Sequence, residues 1–151
     1  MASKLNINFI TEDRVWKPCI PSLRKEAKKA LQLTLKMEEI AAPQTLSIVL
    51  ANDAFVQNYN RDYRGKNKPT NILSFSSDEE EYLGDLLLAY ETIENEAIEQ
   101  KKTFEHHVIH LLVHGTLHLL GYDHEANDEA IVMENREISI LSKLGIENPY
   151  E

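Results

Sequence analysis

The sequence predicts an α+β domain in which helices cover a small mixed sheet of four strands, or slightly more. Three observations predict it. Short runs of strand-like alternation, or of continuous aliphatic residues, recur between segments of helical periodicity. Pro and Gly punctuate the chain without forming a linker, and no internal repeat is visible. The segment around residue 110 is apolar over most of a helical circumference, so it must be buried against other elements.

Leu5-Asn6-Ile7-Asn8-Phe9 alternates apolar and polar, as in a strand with one buried face. Pro21 and Ser22 open a helix that continues through Ala27, Leu31, Leu35 and Met37, and Ala41-Ala42-Pro43 breaks it. Leu46 to Leu50 is a second strand. Asn52 or Asp53 caps a short helix through Phe55, Val56 and Tyr59. Ile72 to Phe75 is a third strand, and the acidic run Asp78 to Glu81 reads as a solvated loop. Leu86 to Tyr90 is a fourth strand, apolar on both faces and therefore central. A helix follows from Glu91 to about Gln100, then a histidine-bearing helix from about Thr103 to Leu120. A last helix spans about Asp128 to Leu144, with Gly145 as its stop.

The 151 residues fit one domain covering positions 1–151. A hydrophobic share of 42% with 27% charged residues belongs to a soluble globular chain. No apolar run is long enough to span a bilayer, and Met1 to Ile10 lack the pattern of a signal peptide. Cys19 is the only cysteine, which rules out an internal disulfide and suits a reducing compartment. The formal charge of −9 weighs against nucleic acid as a partner, because phosphate binding gains from basic surface.

All six histidines fall between His106 and His124. His114 and His118 are four apart, so they differ by ~40° around a helix and ~6 Å along it, and point the same way. Gly121 suits the left-handed position that ends a helix, and the short turn Tyr122-Asp123 returns His124 toward the pair. Any one of these histidines alone would read as an ordinary helix residue. Together His114, His118 and His124 have the spacing of a three-histidine metal site on a buried helix and its following turn. Three imidazoles favour Zn2+, although other divalent transition metals also bind them, and three protein ligands leave an open, catalytic position. His107 and His110 lie near the same helical face, where packing or surface roles are the simpler reading, and His106 points elsewhere, toward solvent. Asp123 either stabilises the turn or orients a ligand imidazole.

The same string matches the metzincin protease pattern at both histidine spacings and at the glycine, but departs at one decisive position. The proteases carry a glutamate general base directly after the first histidine, and here that residue is Gly115. Neither Glu105 nor Glu125 clearly replaces it. A metallohydrolase of a peptide or amide therefore stays an alternative without its base, and a non-catalytic factor with a structural metal is another.

His114 to His124 resembles the signature of the YbeY family of bacterial ribosomal-RNA maturation endoribonucleases. Asn60 to Phe75, with Arg61, Arg64 and Gly65 in its first half, resembles that family's other recurring stretch, and Gly84-Asp85 before an apolar strand is also similar to it. The likeness runs in order from Leu46 to His124. It implies a zinc-dependent, single-strand-specific endoribonuclease acting in 3′-end maturation of small-subunit ribosomal RNA and in ribosome quality control, in the cytoplasm. It implies zinc on His114, His118 and His124, and an essential arginine at Arg64. The residues make sense of that arginine. Arg61, Arg64, Lys66 and Lys68 face a single Asp62, a basic patch in an acidic chain. A guanidinium placed near a metal stabilises the charge that builds on phosphate oxygens during cleavage. Tyr59 and Tyr63 suit base stacking, but helix packing is the simpler expectation for both.

Overall fold

The computed structural model describes residues 4–65, 70–123 and 126–151. Four strands form, one at each predicted place: β1 is Leu5–Thr11, β2 Gln44–Ala51, β3 Ile72–Ser76 and β4 Tyr82–Ala89. They form one mixed sheet in the order β1-β2-β4-β3, with β1 parallel to β2, β2 parallel to β4, and β3 antiparallel to β4. The helices are α1 (Ile20–Met37), α2 (Asp53–Arg64), α3 (Tyr90–Glu99), α4 (Phe104–Leu119) and α5 (Asn127–Lys143). Asp78 to Glu81, between β3 and β4, is exposed.

Two cores follow from the two faces of the sheet. Leu46, Ile48, Leu50, Leu86 and Leu88 point to the face covered by α1, α4 and α5, and are fully buried there. Leu73, Leu87 and Ala89 point to the other face, where α2 lays Val56 on them. The strand period of two explains the split. The histidine helix α4 carries Val108, Leu112 and Leu117 into the larger core at no solvent exposure, so its position is set by packing. Thr103 caps it by accepting a hydrogen bond from the His106 amide at 3.1 Å. Among the described residues no helix is long and apolar enough to cross a membrane.

Two stretches differ from expectation. A 3-10 helix at Arg14–Cys19 was not foreseen, because its six residues make only about two turns and bury a single side chain, too little for a period to be read. It delivers Trp16 into the core, where the indole N–H donates to the Ala51 carbonyl at 2.9 Å. The fourth strand begins at Tyr82 rather than Leu86, and Tyr90 opens α3 instead of closing the strand. The register explains the early part. Thr45 pairs with Tyr82 but Leu46 pairs with Gly84, so Leu83 is an extra residue and the bulge breaks the alternation.

Gly84 follows that bulge with φ +143°, and a Cβ there would lie 2.1 Å from the Phe75 carbonyl oxygen and 3.0 Å from the Leu119 side chain. The glycine thus allows β3 and the end of α4 to close on the sheet. Gly84→Ala combines a left-handed backbone with a clash against main chain, which cannot move aside as a side chain can. Its unfolding free energy, read from urea titration, is expected to fall by about 3 kcal/mol or more. A midpoint equal to that of the wild type would refute this.

Candidate metal centre

The structure brings His114 and His118 together on the outer face of α4, with ring centroids 4.7 Å apart and planes at 84°. His124 lies outside the described residues. Within those residues no group of three His, Cys, Asp or Glu side chains could hold a metal ion, so the pair is tested on its own chemistry. Each ring is held by its Nδ1. His118 Nδ1 lies 2.9 Å from the Tyr122 carbonyl oxygen. A carbonyl only accepts, so Nδ1 carries the proton and Nε2 carries the lone pair. His114 Nδ1 lies 3.2 Å from Glu137 Oε1. Burial by itself raises the Glu137 carboxyl, but hydrogen bonds and charge from His110 and His114 outweigh it and hold the pKa at about 2. Glu137 is therefore an acceptor, so His114 too carries a proton on Nδ1, and in the neutral ring the lone pair is on Nε2. Two neighbouring imidazoles with Nε2 lone pairs are what a zinc ligand pair requires, so the residues present fit the metal.

Neither anchor is where the sequence pointed. Glu137 is fully buried on α5. Its Oε1 also accepts from His110 Nε2 at 2.8 Å and from the Tyr150 hydroxyl at 2.9 Å. Burial and the neighbouring Glu137 charge push the Tyr150 phenol up, so it stays a donor. The signal for Glu137 was present in the sequence. Met133, Glu137, Ile140 and Leu141 share one helical stripe, and a glutamate on an apolar stripe demands a partner. Asp123, the candidate orienter in the turn, is exposed.

The second anchor is the turn itself. Gly121 takes φ +107°, which lets the chain leave α4 and fold back. The Tyr122 hydroxyl then donates to Glu38 Oε1 at 2.5 Å, and Arg136 reaches both the phenol oxygen (3.3 Å) and Glu38 Oε2 (2.8 Å). The Tyr122 phenol is raised, first by its bond to Glu38 and then by burial. This pins the carbonyl that receives His118. Arg136 and Glu137, consecutive on α5, thus hold the two imidazoles, one through Tyr122 and one directly.

The remaining histidines separate cleanly. His110 donates its Nε2–H to Glu137, and its buried Nδ1 has no hydrogen-bond partner among the described residues. His107 is buried against Glu96 at 2.8 Å, and burial lowers its pKa against the pull of that carboxylate. His106 is exposed, as read. Glu105 accepts from Ser22 of α1 at 3.0 Å, and Glu125 lies outside the described residues.

Arg64 is the last residue of α2 and is exposed. It stands beyond the sheet face opposite α4, just before the segment leading to β3, the strand on which α4 also packs. Arg61 pairs with Asp62 at 3.0 Å, and Lys66 and Lys68 lie outside the described residues.

Comparison with known proteins places the chain in a family. The family described as Endoribonuclease YbeY matches residues 9–145. Endoribonuclease YbeY of Magnetococcus marinus is 54% identical, over 72% of this chain and 84% of its own. That of Acinetobacter baylyi is 43% identical, over 97% of this chain and 99% of its own. The solution structure of TM1509 from Thermotoga maritima shares the fold, with a TM-score of 0.62 at 24% identity, covering 96% of this chain and 95% of that one. By the extent of that match and by those identities, the chain belongs to the YbeY endoribonuclease family.

Proposed function

We propose that residues 1–151 act as one domain, a zinc-dependent endoribonuclease that cuts single-stranded RNA in the 3′-end maturation of small-subunit ribosomal RNA and in ribosome quality control, in the cytoplasm. The RNA substrate follows from the family. The observation that carries the site is the pair of imidazoles on α4 whose Nδ1 atoms are both anchored. In this reading His114, His118 and His124 hold the metal. When bound, zinc supplies Lewis-acid polarisation of a phosphoryl oxygen and a lowered pKa for water. Glu137 and the Tyr122 carbonyl keep the two rings in the binding tautomer. Arg64 offers its guanidinium fork to the phosphate oxygens as charge develops on them. Gly115 has no side chain to move a proton, which separates this site from the peptidases of similar spacing.

The test is a cleavage assay with zinc-loaded protein on single-stranded RNA, structured RNA and casein. His114→Ala is expected to abolish RNA cleavage, and Arg64→Ala to reduce it by about 100- to 1000-fold. Equal cutting by wild type and His114→Ala would assign the activity to a contaminant. Casein hydrolysis lost in His114→Ala would favour the peptide reading. Chelation provides a second check. A metal held at 100 times its Kd adds about 2.7 kcal/mol. Its removal is thus expected to lower the melting temperature by roughly 5–10 °C. An unchanged melting temperature, with metal loss verified, would count against the site.

A further inference from the structure

On the sheet face away from α4, a groove of about 390 Å³ lies between the strands and α2. One wall is a column of rings. Phe55, Tyr59 and Tyr63 stack at centroid distances of 5.0 and 5.1 Å. The helix-packing expectation for the two tyrosines fails at its outer end, where Tyr63 is 68% exposed. The floor is polar. Ser47 Oγ and the Tyr82 hydroxyl are 2.8 Å apart, and Tyr82 donates to Asp85. The bulge at Leu83 puts Tyr82 and Asp85 on this face together. A carboxylate has about four acceptor sites, so the bond from Tyr82 leaves Asp85 with capacity to spare. Nothing in the zinc reading uses this groove.

We infer that the groove seats a nucleobase of the single-stranded RNA substrate, stacked on Tyr63, the outer ring of the column that Tyr59 backs, with its edge N–H groups on Asp85. The inference rests on the RNA reading above. Asp85 and Glu12 line the groove, so a phosphate or an acidic peptide is repelled. The occupant they suit is neutral and planar with donors on its rim, which describes a base. Tyr63 and Arg64 are consecutive, so one turn of α2 carries both the stacking ring and a cation for the attached phosphate. A duplex cannot enter, because its bases are stacked on both faces and paired at their edges. Bases with an exocyclic amine fit Asp85 better than uracil, whose single N–H is flanked by carbonyls. An acidic chain thereby binds RNA largely through its bases, which answers the objection raised by its net charge.

The test measures binding of fluorescent 2′-O-methyl decamers, verified intact afterwards, to the zinc-loaded protein. Oligo-C, oligo-U and an abasic decamer of equal length are compared. Tyr63→Ala, at the exposed end of the ring column, is expected to weaken oligo-C by roughly 5- to 100-fold. It is expected to leave the abasic decamer unchanged, and Tyr63→Phe to restore binding. Asp85→Asn is expected to shrink the preference of oligo-C over oligo-U. Equal oligo-C binding by wild type and Tyr63→Ala overturns the inference and marks the groove as a protein-binding surface or mere packing. An equal loss on the abasic decamer also overturns it, since the defect would then not concern bases. These failures differ from failure of the RNA reading itself, in which the wild type would cut no RNA at all.

Discussion

Glu137→Gln is expected to weaken zinc binding by about 10- to 100-fold while the fold persists. The substitution keeps the shape of the side chain but removes its charge. Three donors converge on Glu137 Oε1, from His110, His114 and Tyr150, and a neutral amide oxygen holds them less strongly than a carboxylate. His114 then loses the charged acceptor that fixes its Nδ1–H tautomer, and part of its population carries the proton on Nε2, where it cannot ligate. Long-range nitrogen–proton correlation spectra of the metal-free protein should show His114 as a tautomer mixture and His118 unchanged, because His118 is held by the Tyr122 carbonyl. Competition against a chromophoric chelator should report the weaker affinity. A cost of about 1–3 kcal/mol in urea titration should accompany both, from donors left poorly satisfied. An unaltered affinity with an unaltered His114 tautomer would show that Glu137 serves packing alone.

How far the sequence reaches depends on whether a feature is local. The α4 pair, the Gly121 stop and the strand and helix order could be read because each rests on spacing within a few residues. The Leu83 bulge could not, since a bulge exists only relative to the register of a partner strand. The 3-10 helix was missed for lack of a periodic stripe. Glu137 is the instructive case. It lies 23 residues after His114 in the chain, and in a helix rich in Glu and Asp it resembles a surface residue. Only its place beside Met133, Ile140 and Leu141 marked it as interior. The Tyr122–Glu38–Arg136 network joins three distant segments, and nothing in their separate neighbourhoods announces it. A pair of histidines on one helical face can be read from local spacing, whereas the groups that orient the rings come from wherever the fold brings an acceptor.

Gly115→Glu, which writes the protease base into the histidine string, is expected to produce a less stable protein and no peptidase. The sequence alone says that the base is missing. The structure says why the position cannot hold one. A Cβ at Gly115 would lie 2.8 Å from Leu86 Cδ2, 3.0 Å from Ile72 Cδ1 and 3.1 Å from Ser74 Oγ. Gly115 therefore faces β3 and β4 in close contact with the sheet, while the His114 ring turns toward Glu137 and the His118 ring toward the Tyr122 carbonyl. An alanine there meets the flexible ends of side chains, and its helix propensity gain of about 1 kcal/mol offsets part of the crowding. Gly115→Ala should thus stay within about 1 kcal/mol of wild type. A glutamate must place a carboxylate in the apolar layer without a cation, or push α4 off the sheet. Either costs on the order of 3–5 kcal/mol, a fall in melting temperature of roughly 10 °C or more. Calorimetry and a casein assay on the zinc-loaded variant would check both parts. A variant that melts with the wild type and hydrolyses casein would mean that the carboxylate reaches the cleft. On the observed geometry it points into the sheet, so helix packing, and not only the missing side chain, keeps position 115 from supplying a protease base.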